Sequence, residues 1–435
     1  MSRALVVLQI AAILVVGVAT VARFHVFAEV DERAHLAYVQ EVAERGHIPW
    51  VGRDRVPWQE VAFEAGTYPQ SSALDLSPLS LRGSSYEGWQ PPLYYVLAAP
   101  AFLIPSGYSD KVYAVRSFDL LLLLVALAIL ALLARAVFDE HWQGAYCLAL
   151  SPILWPGVIV RAVTVSNAAL ELPLVALYVL VLWKATAKPR PRSLLAAGAL
   201  LGLCVLTQLT LVCLSALLLV PLAALLRERR DRRAVATATL TLLLPLALVA
   251  PWLALNESRY GALTASSLVE RLTAPDVPAG SGLSAVGSGL VRLSHVMLPQ
   301  EWWLEYRGML GAILITLPTL LVVVCALAVV RRPWLVRSRA GGLLAAALPL
   351  GIATLAGIVL LDAWPAALLP RYLNPALPLF ALFVAWAWLH AGMGQRSLLW
   401  LAGLSGAVVC PIWVYMAGAY YFTNVGAMLG IHAAR

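Results

Sequence analysis

Ten apolar runs, most of them close to the length that crosses a bilayer, govern what this chain can fold into: about 4–24, 117–134, 143–160, 168–183, 194–226, 234–255, 309–330, 341–361, 373–389 and 397–418. A hydrocarbon core roughly 30 Å thick asks for about 20 helical residues, and inside it every backbone amide must be satisfied within its own segment. The run at 194–226 has room for two short spans turning around Thr207-Gln208-Leu209-Thr210. The expected fold is therefore an all-α integral membrane bundle of about eleven transmembrane helices, read as one domain over 1–435. With 61% hydrophobic and only 12% charged residues, no soluble core could absorb this apolar surface. Residues 4–22 follow a single Arg3 and are too long for the apolar stretch of a cleaved signal peptide, so they read as an uncleaved first helix.

Charge sets the expected orientation. Residues 91–105 hold four prolines in fifteen residues, which is short for a span and typical of an interfacial or re-entrant helix. If this segment does not cross, the loops Lys184–Arg192, Arg227–Arg233 and Arg331–Arg339 share a side with the N-terminus, and together they hold 13 of the 31 Lys and Arg. The positive-inside rule then puts the N-terminus in the cytoplasm. A long first loop (25–115), short loops near 161–167 and 362–372, and a second large loop (256–308) fall outside, with the C-terminal tail. The stretch Ala279–Gly289 reads as a flexible lid or tether. The cysteines Cys147, Cys204, Cys213, Cys325 and Cys410 lie in apolar stretches without metal-ligand spacing, so redox chemistry is not indicated.

The first outer loop opens with Asp31-Glu32-Arg33-Ala34-His35 and continues as a helical pattern. Apolar residues at 36, 39 and 43 form a stripe, Glu41 and Arg45 can pair, and Gly46 and Pro49 stop the helix. A short amphipathic helix lying on the membrane fits, with Asp31 and His35 on one face. Two readings of Asp31 stand side by side: an N-cap for that helix, with Glu32 favouring its positive end, or a general base that takes the proton of an attacking hydroxyl. Arg161 and Arg371 sit at expected outer helix ends, where each either snorkels to headgroups or offsets a substrate phosphate. Trp89, Tyr94, Tyr95, Trp302 and Trp303 read as interfacial anchors. Gln9, Asp119 and Glu171 are the few polar intrusions in apolar runs, and Glu171 should face the bundle or an outer cavity.

The loop closes with Tyr86-Glu87-Gly88-Trp89-Gln90-Pro91-Pro92-Leu93-Tyr94-Tyr95. A "DE..H..Y" start after the first helix, followed by "E..QPPLYY", resembles the GT-C-fold glycosyltransferases that use polyprenyl-phosphate sugars, the group of protein mannosyltransferases and lipid A aminoarabinose transferases. Ser151-Pro152 through Val165-Ser166-Asn167, Gly202-Leu203 through Thr207-Gln208, Trp252 through Asn256 and Tyr260-Gly261, and Arg371-Tyr372-Leu373-Asn374-Pro375 are similar to further family segments, in family order. The resemblance implies an inverting transfer from a polyprenyl-phosphate sugar to an acceptor hydroxyl of a glycan, lipid or protein, outside a bacterial plasma membrane. It places Asp31 as the base with Glu32 beside it. His35, Glu87, Gln90, Tyr94, Arg161, Asn167, Gln208, Arg371 and Tyr372 become the substrate-binding set. Nucleic acid is not an expected partner.

The chain departs from the family pattern at three points. Many relatives carry an acid where this chain has Ala168, and lysines where it has Gln90 and Gln208. These changes fit a metal-independent enzyme, one that relies on Asp31 and Glu87 alone, or an inactive member. His35 beside two carboxylates leaves a local divalent-cation site open but matches no closed ligand set, so no metal is assigned. A transporter or flippase of lipid-linked sugars, and a non-catalytic partner that keeps the fold, are the alternative readings. The first would need midplane ionisable pairs and repeated halves, and neither is evident in the sequence.

Overall fold

The computed structural model describes residues 2–24, 31–55, 86–229, 231–263, 375–390, 392 and 394–403. Among these residues the regular structure is helical, with no strand. α1 (Ser2–Arg23), α4 (Tyr108–Phe138), α7 (Ala168–Ala187), α9 (Ser215–Glu228) with the 3₁₀ turns leading into it, and α10 (Arg232–Tyr260) supply five stretches long and apolar enough to cross a membrane. Shorter apolar helices are α3 (Leu93–Leu103), α8 (Pro191–Thr207) and α11 (Ala376–His390). The amphipathic helix is α2 (Glu32–Arg45), and α5 (Trp142–Leu150) and α6 (Pro156–Val163) complete the set. Arg371, Tyr372, the Ala279–Gly289 stretch, Trp302, Trp303, Cys325, Cys410 and most of the 256–308 loop lie outside the described residues.

The segment 91–105 becomes α3, eleven residues with Pro100 inside. At ~1.5 Å per residue it is about 16 Å long, half of what a span needs. Thr207 ends α8, Gln208 is extended, and a 3₁₀ stretch leads into α9, so the run at 194–226 does divide where Thr207–Thr210 implied. The apolar run at 143–160 differs from expectation. It is not one helix: α5 ends at Leu150, a 3₁₀ turn covers Ser151–Leu154, and Trp155 is extended. Pro152 and Pro156 explain the break, because neither can donate the amide that a continuous helix needs.

Two packed regions position the site. The larger, among α1, α4 to α11, is held by close approach as well as by apolar bulk. A Cβ on Gly198 would lie 2.5 Å from the Thr241 carbonyl oxygen, and one on Gly202 would lie 3.2 Å from the Cα of Pro245. α8 and α10 therefore touch backbone to backbone and run in the same direction. Such small-residue contacts are how helices pack without a hydrophobic drive between them. The smaller region joins α2, α3, the start of α4 and the 165–170 turn through Leu36, Tyr38, Val39, Tyr94, Tyr95, Phe102 and Val165. The α2 stripe is thus spent on α3. Most of α2 from Ala34 to Glu41 is buried, so this amphipathic helix is held by its neighbours along much of its length.

Candidate active site

Asp31 stands immediately before α2 with φ 70° and ψ −7°; its carbonyl accepts the His35 amide at 2.9 Å, but its side chain makes no capping hydrogen bond. The capping reading is thereby corrected. The left-handed backbone turns the side chain away from the first-turn amides, and aspartate is among the few residues that tolerate that conformation. Its Oδ1 instead accepts the hydroxyl of Tyr86. Tyr86 is pushed well above the ordinary phenol range, first by burial and then by the charges of Asp31 and Glu87, so it stays a donor at any working pH. Tyr95 is raised in the same way, by burial and then by Glu87. Asp31, Tyr86, Glu87 and Tyr95 thus form one electrostatic cluster.

His35 lies one turn along α2 and meets the Tyr95 hydroxyl at 2.8 Å from Nδ1. Tyr95 in turn stacks on Tyr38, with ring centroids 3.6 Å apart. The Tyr38 hydroxyl donates to the Gln90 carbonyl at 3.3 Å. The segments around Asp31 and Tyr86, 55 residues apart, are locked together by these bonds. Trp89, Tyr94 and Tyr95 are 7%, 0% and 0% exposed. They are interior packing groups and not interfacial anchors, because α2 covers the face on which they lie. Tyr94 donates to both carboxylate oxygens of Asp119 at 3.0 Å, which turns its hydroxyl toward α4.

Glu32 has a different task from its neighbour. Arg116 grips it in a bidentate pair, Nε and Nη2 each 2.7 Å from a carboxylate oxygen, with both side chains fully buried. The remaining Nη1 donates to the Phe24 carbonyl at 2.8 Å, and the Val165 amide donates to Glu32 at 3.1 Å. One guanidinium therefore ties the end of α1, the start of α2 and, through Glu32, the Val165 turn to α4. Nothing in the local sequence around Asp31 announces Arg116. The one available signal was an arginine three residues before Asp119 inside an apolar helix, where a charge is expensive unless it is paired.

Asn167 and Gln208 meet directly: Asn167 Nδ2 donates to Gln208 Oε1 at 2.5 Å and to the Thr207 carbonyl at 3.1 Å. The turn before α7 and the α8 terminus are thus joined by two uncharged amides at a position where Ala168 supplies no carboxylate. On α10, Asn256 donates to the Trp89 carbonyl at 3.4 Å. Buried among the described residues without hydrogen-bond partners are the Gln90 Oε1, Thr164 Oγ1 and Trp252 Nε1 atoms. Arg161 and Glu171 are buried at the C-terminal end of α6 and the first turn of α7. Among the described residues no group of three or more His, Cys, Asp or Glu side chains could hold a metal ion.

The α10 terminus closes the arrangement from the other side. Arg259 donates to the carbonyls of Ile48 and Pro49 at 3.0 and 3.1 Å, and the Tyr260 hydroxyl accepts the Val51 amide at 3.1 Å. Gly88 lies so close to this strap that a Cβ would sit 2.6 Å from the Pro49 oxygen. The strap and the Tyr86–Trp89 turn therefore fit only around a glycine.

Residues 90–255 match the family model of dolichyl-phosphate-mannose-protein mannosyltransferases. No curated protein sequence matches the chain. Two crystal structures of ArnT from Cupriavidus metallidurans are similar to it at 18% identity. The apo form has a TM-score of 0.52, covering 96% of this chain and 65% of that one. The form bound to undecaprenyl phosphate has a TM-score of 0.54, covering 95% and 64%. The chain thus spans just under two thirds of the length of the ArnT structures. It has the GT-C fold of polytopic membrane glycosyltransferases, with its residues 90–255 matching the dolichyl-phosphate-mannose-protein mannosyltransferase family.

Proposed function

We propose that this chain is a glycosyltransferase that takes a sugar from a polyprenyl-phosphate donor and gives it to an acceptor hydroxyl on the extracytoplasmic face of a bacterial plasma membrane. The observation that carries this reading is the Asp31 carboxylate, freed from helix capping, oriented by Tyr86 and set on a GT-C fold beside Glu87 and His35. Asp31 accepts the proton of the acceptor hydroxyl as its oxygen attacks the anomeric carbon. The bond from that carbon to the phosphate oxygen breaks with its electron pair on the phosphate, so the anomeric configuration inverts. Ordinary carboxylate basicity suffices because a phosphate monoester is a good leaving group. Glu87 and His35 border the acceptor side. Gln90, Asn167, Gln208 and Arg161 belong to the donor side, with Arg371 and Tyr372 assigned there from the family-like motif.

A non-catalytic partner that binds the same lipid is the second reading, favoured by the neutral Asn167–Gln208 pair. Purified chain in lipid, given undecaprenyl-phosphate mannose or undecaprenyl-phosphate aminoarabinose, separates the two. Release of undecaprenyl phosphate by wild type and its loss in Asp31→Asn, at unchanged thermal stability, supports the enzyme. Tight binding without turnover in either protein supports the partner. No binding of either lipid rejects both.

A further inference from the structure

α1 and α4 run antiparallel. Phe24 at the end of α1 meets Arg116 near the start of α4, so Arg3 and Arg135 come together at the far end. Arg116 and Arg135 are separated along one helix by about 28 Å at ~1.5 Å per residue, close to the thickness of a bilayer core. At that far end lies a cavity of about 380 Å³ lined by Arg3, Val6, Val7, Arg135, Trp142 and Gln143. Its wall holds two cations, an indole, an amide and two apolar side chains, and no carboxylate. The Arg135 guanidinium sits 4.9 Å over the Trp142 ring, which steadies it in one orientation. Val7 is 65% exposed on the outside of α1, so the cavity opens beside a surface that faces acyl chains.

We propose that this cavity binds the headgroup of an anionic phospholipid in the leaflet opposite the Asp31 cluster. The phosphate pairs with Arg3 and Arg135, the glycerol hydroxyls reach Gln143, and the acyl chains leave along Val6 and Val7. Guanidinium forks suit phosphate geometry, and Trp142 stands where indoles settle at the headgroup level. The occupant bridges α1, α4 and α5, so it fastens the first helix to the bundle at the end away from the Glu32–Arg116 pair.

The test is native mass spectrometry and thermal unfolding of the full chain in neutral detergent, titrated with dioleoyl-phosphatidylglycerol or dioleoyl-phosphatidylcholine. Wild type should prefer phosphatidylglycerol by about tenfold, and its apparent Tm should rise by roughly 2–5 °C. The Arg3→Gln/Arg135→Gln double variant should lose both effects. The Arg227→Gln/Arg229→Gln variant, with the same charge removed from another basic loop, should keep them. Equal preference in the two double variants would assign the effect to diffuse charge and overturn the proposal. So would stabilisation by inorganic phosphate alone that equals the lipid's, since that points to a free anion.

Discussion

Replacing Arg116 by methionine removes one member of a fully buried, bidentate pair and leaves the Glu32 carboxylate in the interior without its guanidinium, while the Val165 amide still donates to it. Breaking such a pair from one side costs about 3–5 kcal/mol, chiefly the penalty of an uncompensated buried charge. The Phe24 carbonyl loses the Arg116 donor as well. For a chain of this size the apparent Tm should fall by roughly 3–10 °C, at about 1–2 °C per kcal/mol. Glu32→Gln/Arg116→Met carries no buried charge and keeps an acceptor for Val165, so it should recover at least half of that loss. The assay is thermal unfolding of the four proteins of the cycle in one lipid-supplemented detergent at one scan rate, because unfolding of a chain like this is rate-governed. Arg116→Met within about 1 °C of wild type, or a double variant equal to the sum of the singles, would refute the reasoning, since touching partners must couple.

Tyr86→Phe deletes the hydroxyl that orients Asp31 and should lower turnover by about ten- to a hundredfold, with native mass spectrometry registering unchanged donor-lipid retention. Gly198→Ala places a Cβ against the Thr241 carbonyl and should destabilise by about 1–3 kcal/mol, read as a fall in apparent Tm that Ala197→Gly does not reproduce in kind. Glu41 is held above its ordinary 4.5, mainly by burial and against the pull of Arg45. A carboxyl raised in the folded state favours the protonated form, so its contribution to stability grows as pH falls through the folded value toward 4.5 and is smallest at neutral pH. The Tm difference between wild type and Glu41→Gln should therefore move in favour of wild type between pH 7 and pH 5, and a flat difference would sink the assignment.

Periodicity and turn chemistry located α2, its Glu41–Arg45 pair and its Gly46 stop, because each depends on neighbours within one or two turns. The division of the 194–226 run at Gln208 was readable for the same reason. The role of Glu32 was not, because its meaning is set by Arg116, 84 positions away. The capping expectation for Asp31 failed on a backbone dihedral that no local pattern encodes, once Tyr86 offered the carboxylate another partner. Asn167 and Gln208 were each singled out from motif positions, yet their direct contact follows from how the turn before α7 meets the end of α8, which spacing alone does not express.

The strap built by Arg259 and Tyr260 sets an order of events during synthesis. Its contacts with Ile48, Pro49 and Val51 join positions about two hundred residues apart. At ribosomal rates of about 5–20 residues per second, the Ile48–Val51 segment waits roughly 10–40 s after its own synthesis before the end of α10 is made. Until then the Pro49–Gly88 contact lacks the backing of Arg259, whereas the contacts of Asp31 with Tyr86 and of His35 with Tyr95 need nothing beyond residue 95. The region around Asp31 is thus assembled in two stages, a local one among residues 31–95 and a later one in which the end of α10 clamps the Ile48–Val51 strap.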